Sequence, residues 1–403
     1  MNRSHILCDR LTRSVAILCV PDPRMEKERA PVDDVARLLK ESWTLVEEHR
    51  DRLSEHFYAR LFLLDPELRS LFPAQMAGQG DRLLEAIITA AHTVDDPEGF
   101  DEFLRSLGRD HRKYHVEATH YETMGVALLD ALRSTAGDGW NLTFDQAWRD
   151  AYAAISGKML AGAAADDNPP FWHAEVLTHA RYGPDTAVLT VRALQHPLRW
   201  QAGQYVSIEA PRYHPRVWRT YSVANAPNDE NVLEFHVRTP PGAGWLSGAL
   251  VRRVKPGDLL RLAAPMGSMT LDRASDRDIL CVAGGVGLAP VKALVEELAG
   301  YNRTRWVHVF YGARTPLDLY GLAGLQEMVA RHPWLSVTPA CSADTGFDGE
   351  LGDISEVVGR YGPWTAHDCY VSGAAPMVRA TLRVLSGDEV PAERTRYDTY
   401  GDL

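Results

Sequence analysis

Between Val32 and about Ala165 apolar residues recur every three or four positions, and no stretch alternates as a strand would. Val35, Leu38, Leu39, Trp43 and Val46 make one stripe, and Leu53, Phe57, Leu61 and Phe62 make the next. Pro66 and Pro73 punctuate that second helix and a short turn after it. Leu83, Leu84, Ile87 and Ile88 begin another helix, and Phe100, Phe103, Leu104 and Leu107 mark one more. Tyr121, Met124, Leu128, Leu129 and Leu132 follow. Thr143 and Gln146 have the spacing of a capping box at the head of the last helix, whose Phe144, Ala147, Trp148, Ala151, Tyr152, Ile155 and Met159 share a face. The first third is therefore expected to be a helical bundle.

Asp166-Asp167-Asn168-Pro169-Pro170 reads as a linker, and the period changes after it. Trp172 to His179, Thr186 to Leu194, Tyr205 to Ile208, Thr220 to Ala224 and Leu233 to Val237 are short, β-branched and aromatic, which predicts a small antiparallel barrel. Pro240-Pro241-Gly242-Ala243-Gly244 turns into a short helix from Trp245 to Leu250. Ile279 to Ala283 is apolar throughout, as a buried strand is, and runs directly into Gly284-Gly285-Val286-Gly287 and a helix from about Pro290 to Ala299. Trp306 to Tyr311, Ser336 to Ala340 and Cys369 to Ser372 alternate with helical segments, as a doubly wound parallel sheet requires.

Length and charge narrow the picture. A chain of 403 residues accommodates two or three domains of about 100–200 residues, and the changes of period give three: 31–165, 166–275 and 276–403, behind an extension over 1–30. That extension has no sustained period, and Met25 is followed by Glu-Lys-Glu-Arg. It is expected to be a disordered tail or a start-site artefact. A net charge of -11 argues against a nucleic-acid partner. Five cysteines, none spaced C-x-x-C, fit a reduced, cytoplasmic protein without a cysteine metal site. Val15 to Val20 is too short for an export signal or a membrane span.

Several positions are candidates for chemistry. His111 stands four residues after Leu107 and seven after Leu104, so its imidazole is aimed inward; a satisfied core histidine and a metal ligand both fit that placement. Trp218-Arg219-Thr220-Tyr221-Ser222 contains R-x-Y-S on a barrel strand. There a guanidinium can pair with a diphosphate, a tyrosine ring can lie against a flavin, and a hydroxyl can bond its edge. The short helix after Gly244 offers N-terminal amides and Ser247. The strand, glycine turn and helix around Gly284–Gly287 would let backbone amides approach a pyrophosphate.

In combination these motifs resemble two families. Ala202-Gly203-Gln204-Tyr205, the R-x-Y-S strand, Gly244-Trp245-Leu246-Ser247 and Gly284-Gly285-Val286-Gly287-Leu288-Ala289-Pro290 stand in the order of ferredoxin-reductase-like proteins, from about Phe171 onward. Phe57-Tyr58, Pro66-Glu67-Leu68, Leu71-Phe72, His111 and Tyr121 resemble the globin domain of flavohemoglobins over about Asp33 to Leu160.

The resemblance implies an all-α globin, an antiparallel β-barrel FAD domain and an α/β doubly wound NAD domain. It makes His111 the proximal ligand of a b-type heme iron, Tyr58 and Gln79 distal groups, Phe72 and Leu83 heme-pocket residues, and Tyr121 the proximal-side tyrosine. FAD would be held by Tyr205, Arg219, Thr220, Tyr221, Ser222, Gly244 and Ser247, with Tyr400 over the flavin face. The nicotinamide nucleotide would meet Gly284, Gly285, Val286, Gly287, Leu288, Ala289, Pro290, Ser372, Gly373 and Met377. One arginine near Asp318 points to NADH over NADPH.

The implied activity is nitric oxide dioxygenation by a monomer, from oxygen, nitric oxide and NAD(P)H. A flavin reductase for other acceptors and an oxygen or nitric oxide sensor remain open. The chain departs from the family pattern in three places. Asp110 replaces the lysine before the proximal histidine, Ser372-Gly373-Ala374-Ala375-Pro376-Met377 replaces C-G-P-x-x-M, and Ala163 stands where a glutamate is expected. If the last helix continues to Asn168, Asp166 projects from the same face as Ala163 and could substitute through Tyr121.

Overall fold

The computed structural model describes residues 32–73, 76, 97–240 and 245–400. The N-terminal extension, the helix expected from Leu83, and Gln79, Leu83 and Gly244 lie outside the described residues. Among the described residues five α-helices come first: α1 (Val32–Trp43), α2 (Arg50–Leu64), α3 (Pro97–His111), α4 (Ala118–Ala136) and α5 (Leu142–Ala164). By contacts the chain forms two compact units. One holds α1, α2, the start of α3 as far as Asp101, α4 from Thr119 and α5 as far as Gly157; the other holds Glu67–Met76 and Glu102–Ala118 together with everything from Lys158 onward.

In the first unit the apolar stripes are buried, with Trp43, Leu53, Phe57, Leu61, Leu128, Leu132 and Trp148 all inside. Trp148 Nε1 donates to Ser42 Oγ at 2.9 Å, and Ser42 donates back to the Leu38 carbonyl at 2.8 Å, so a fully buried hydroxyl is satisfied by its own helix. Gly125 lets the Tyr152 ring close on α4, since a Cβ there would lie 2.6 Å from Cε1.

Two helix expectations are corrected. The cap of α5 is Asn141, whose Oδ1 accepts the Phe144 amide at 3.0 Å, so Thr143 lies inside the first turn. In α3, Phe103 is turned outward at 47% exposure, while Leu104 is buried. The close-packing face of α3 continues through Gly108, where a Cβ would sit 1.9 Å from the Met159 carbonyl oxygen; Gly162 likewise abuts the Arg105 carbonyl. Backbone meets backbone there, which excludes a bulky side chain from that face.

The second unit contains two sheets. The strands β1 (Trp172–Tyr182), β2 (Thr186–Ala193), β3 (Tyr205–Glu209), β4 (Trp218–Ser222), β5 (Val232–Arg238) and β6 (Leu259–Leu262) form an antiparallel sheet in the order β4-β3-β6-β1-β2-β5. A bridge from Val223 to Phe235, with the Ala224 amide on the Glu234 carbonyl at 2.8 Å, brings the two edges together as a barrel. Its core includes Trp172, Leu189, Ile208 and Phe235, and α6 (Trp245–Arg252) adds Leu246 and Leu250.

The last lobe runs β7 (Ile279–Gly284), α7 (Leu288–Tyr301), β8 (Val307–Ala313), α8 (Leu322–Arg331), β9 (Leu335–Cys341), β10 (Glu350–Leu351), α9 (Ile354–Tyr361), β11 (Asp368–Ala374), α10 (Ala375–Gly387) and β12 (Thr395–Tyr400). All neighbours are parallel, in the order β10-β9-β8-β7-β11-β12. Connections leave β7 toward β8 on one side and β11 toward β12 on the other, so the winding reverses between β7 and β11, where such sheets open a ligand crevice. Among the described residues, no helix is long and apolar enough to cross a membrane.

Candidate functional site

At the reversal point β7 leads through Gly285–Gly287 into α7. Gly285 has φ of 55°, in the left-handed region, and a Cβ on Gly287 would lie 2.3 Å from the Ser372 carbonyl oxygen. Met377 covers Gly284 and Gly373, whose absent side chains leave room for its terminal methyl. Tyr400 reaches in from β12 and donates to the Gly284 carbonyl at 2.8 Å; burial pushes its phenol pKa up. Val286 is half-buried, whereas Leu288, Ala289 and Pro290 are buried at the start of α7. Ser372 is likewise buried, and its carbonyl is what meets the turn. This glycine-lined crevice is one that a Cβ would fill, and its shape suits a nucleotide approached by backbone.

The barrel presents β4 beside it. Arg219 and Thr220 are exposed, and the Arg219 guanidinium turns back to the Trp218 carbonyl at 2.8 Å. Burial raises the Tyr221 phenol pKa against the opposing effects of a hydrogen bond with Ser247 and the charge of Arg219. Three of the expected flavin residues therefore converge. Ser222 donates to Asp398 Oδ2 at 2.7 Å, which joins β4 to the last strand of the parallel lobe. Burial pushes the Asp398 carboxyl pKa up, opposed by that hydrogen bond. Tyr205 pairs with Ser222 across β3 and β4, and its phenol is raised by burial and then by the carboxylates of Asp110 and Asp398. An exposed cation, a hydroxyl and an aromatic ring on one strand suit a flavin nucleotide.

His111 ends α3. Its Nδ1 lies 2.8 Å from the Leu107 carbonyl; a carbonyl only accepts, so Nδ1 carries the proton and Nε2 keeps its lone pair, as an iron ligand needs. Burial holds the imidazole pKa below its ordinary range, outweighing the Leu107 carbonyl and Asp110. The His111 ring stands 5.9 Å from Tyr114, and Tyr114 stands 6.4 Å from Trp218, the first residue of β4. The other globin-site candidates are placed as follows. Tyr58 is half-buried on α2 with its ring 5.0 Å from Phe57 and 6.0 Å from Phe62. Phe72 is half-buried, and its carbonyl accepts from Arg69 at 3.3 Å. Tyr121 is buried in α4 with its phenol pushed up to about 12, and its carbonyl accepts the Tyr152 hydroxyl at 2.6 Å.

The expectation for Asp166 is corrected. α5 ends at Ala164, and Asp166 pairs with Arg112 at 2.8 Å and accepts from the Asn168 amide and side chain at 3.1 and 2.7 Å. An Asx turn takes over where the helix was expected to continue. Lys113 carries little signal in the sequence, because a single lysine within the charged run Asp110-His111-Arg112-Lys113 has the pattern of a solvated surface. Asp398, two residues before Tyr400, has a partner in Ser222 that no local pattern announces.

Three family models match in chain order: Globin over residues 55–159, Oxidoreductase FAD-binding domain over 173–271 and Oxidoreductase NAD-binding domain over 281–383. A curated relative, the flavohemoprotein of Bordetella pertussis, is 28% identical over 404 residues, covering 91% of this chain and 98% of that one. The solved flavohemoglobin from Malassezia yamatoensis, with bound FAD and heme, shares the fold at a TM-score of 0.75 and 18% identity, covering 91% of this chain and 98% of its own. The ferredoxin reductase in carbazole 1,9a-dioxygenase matches at a TM-score of 0.52 and 29% identity, over 59% of this chain and 71% of its own. With a globin domain, an FAD-binding barrel and a parallel NAD-binding lobe in one chain, this protein has the domain organisation of the flavohemoproteins it resembles and is an oxidoreductase that depends on NAD(P)H.

Proposed function

We propose that this protein is a flavohemoglobin acting as a nitric oxide dioxygenase, oxidising NADH and converting nitric oxide and oxygen to nitrate. The observation that carries the reading is the position of His111. Its Nδ1 is committed to Leu107, its Nε2 is left for a metal, and through Tyr114 and Trp218 the same segment adjoins the strand bearing Arg219–Ser222. When bound, FAD would take up the two electrons of a hydride and release them singly, and a b-type heme would use each one to join oxygen to nitric oxide.

The chain's own residues divide this work by domain, with boundaries near 165 and 275. His111 would ligate the iron, and the resemblance gives Tyr58 the role of a distal hydroxyl and Phe72 that of a heme-pocket residue. Arg219 and the start of α6 with Ser247 would hold a diphosphate, while Tyr221 and Ser222 would orient the flavin ring. The amides of Gly284–Gly287 would meet the nicotinamide nucleotide, and the Tyr400 hydroxyl would leave the Gly284 carbonyl to admit it.

Adding oxygen to nitric oxide to give nitrate consumes one electron, so one NADH supports two turnovers. Steady-state nitric oxide consumption in air should run at about two per NADH, with nitrate as product. NADH oxidation indifferent to nitric oxide would instead support a reductase for other acceptors. Binding without turnover would support a sensor, a reading favoured by Ala163, which is uncharged where a carboxylate is expected to strengthen the proximal donor.

A further inference from the structure

We propose that Lys113 is a positioning residue that fastens the His111 segment to the flavin strand, an inference that rests on the proposed flow of electrons from FAD to iron. Its side chain is 4% exposed, and burying an ammonium is costly unless its protons are matched. All three are. Nζ donates to Asp110 Oδ1 at 2.6 Å and Oδ2 at 2.7 Å, and to Ser207 Oγ at 2.9 Å. The cation also lies 5.1 Å from the Tyr114 ring centroid and 5.6 Å from that of Trp218.

These contacts have a direction. Asp110 precedes His111 and Tyr114 follows it by three, so one ammonium grips the chain on both sides of the histidine. Ser207 faces Thr220 in the β3–β4 register, and Trp218 opens β4, so the same ammonium grips the strand that carries Arg219, Thr220, Tyr221 and Ser222. The segment then stops sharply: His115 adopts φ of 58°, its ring stands 5.6 Å from Phe171, and Phe171 stands 6.3 Å from Trp218. Arg112 pins the neighbouring turn to Asp166. Lys113 is the member of this set whose hydrogen bonds join the two segments directly. A serine and an aspartate bridged by a lysine hold a fixed spacing in a way that an apolar contact would not.

The test uses the full-length protein loaded with heme and FAD. In Lys113→Met, amide hydrogen exchange over residues 109–116 and 205–209 should rise about tenfold or more. Stopped-flow transfer of electrons from reduced flavin to iron should slow about tenfold or more, since small misplacements are costly to reactions that depend on approach. Flavin content and NADH-dependent ferricyanide reduction should stay within about twofold of the parent, because Ser222 keeps Asp398, Tyr221 keeps Ser247 and the nicotinamide crevice is untouched. Ser207→Ala keeps the ion pair and the Trp218 contact and removes the hydrogen bond to the barrel. It should reproduce both effects in smaller measure, and it serves if Lys113→Met does not fold. Unchanged exchange overturns the proposal, and so does faster exchange without slower iron reduction. Should the parent protein fail to reduce its iron with NADH, the proposed function falls, while the exchange measurement still decides whether Lys113 holds the two segments together.

Discussion

The hydroxyl of Ser222 donates to Asp398 at 2.7 Å, across 176 positions of sequence. Asp398 pairs with Ser372 along β12 and β11, so this bond runs from the barrel strand to the edge of the glycine crevice. Burial raises the Asp398 carboxyl pKa above its ordinary value. Between the unfolded and the folded value the native state holds more protons, so stability is greatest below the ordinary carboxyl range and falls as pH rises through the raised value. Asp398→Asn keeps an acceptor for Ser222 and removes the titration. Its melting temperature should gain on the parent's as pH rises from 4 to 8; a constant difference across that range refutes the linkage.

Gly287 and Gly157 should respond to alanine with opposite signs. At Gly287 the new methyl would lie 2.3 Å from the Ser372 carbonyl, so Gly287→Ala must push β11 from β7, at a cost of about 1–3 kcal/mol and with slower flavin reduction by NADH. Gly157 lies within α5 with nothing inside 4 Å of a Cβ, and alanine there should stabilise by about 0.5–1 kcal/mol. Urea midpoints check both. Equal shifts would mean that the close approach at Ser372 relaxes freely.

Much of this architecture was legible because period and composition agree. β7 was visible as the buried run Ile279–Ala283 ahead of three glycines, and the inward placement of His111 followed from Leu104 and Leu107. Short elements escaped. β6 has four residues and β10 two, too few to show alternation, and they are held by the strands beside them. Contacts remote in sequence escaped as well: Lys113 with Ser207 and Ser222 with Asp398 have no local signature, since each joins groups that read as exposed polar residues. Phe103 was misplaced because periodicity reports a face and not its width. The face of α3 that meets α5 is narrowed to the backbone at Arg105 and Gly108, and Leu104 is buried while Phe103 is not.

Replacing His111 should separate the cofactors. In His111→Ala the Leu107 carbonyl loses its partner and any iron its ligand, while the barrel strand is unchanged. Purified protein should lose the heme Soret band and keep about one FAD per chain. Loss of both cofactors, or of neither, would contradict separate sites.

Asp166 should act through Arg112 and not through iron. Its carboxylate is committed to that guanidinium and to Asn168, and its side chain is 9% exposed. Asp166→Asn should cost about 1–2 kcal/mol, between the values for exposed and buried pairs. The iron–histidine stretching frequency of the ferrous protein should not change. A lowered frequency would show that the carboxylate reaches the proximal histidine after all.

The turn after β8 bears on the choice of nicotinamide nucleotide. In a doubly wound lobe the ribose of the adenosine half rests near the end of the second strand, where an acid accepts hydrogen bonds from its hydroxyls and a cluster of cations would be needed for a 2′-phosphate. Here the turn carries Arg314, Thr315 and Asp318, and Thr315 donates to Asp318 Oδ2 at 2.8 Å, which fixes the carboxylate in place. One guanidinium beside a held carboxylate offers little net attraction for a phosphate near a double negative charge. NADH should therefore exceed NADPH in kcat/KM by about tenfold or more, measured with ferricyanide so that the globin domain plays no part. Asp318→Ser should narrow the gap several-fold, chiefly by lowering KM for NADPH, while NADH loses a little. Comparable constants for the two nucleotides in the parent protein, or a gap that Asp318→Ser leaves untouched, would remove Asp318 from the selection.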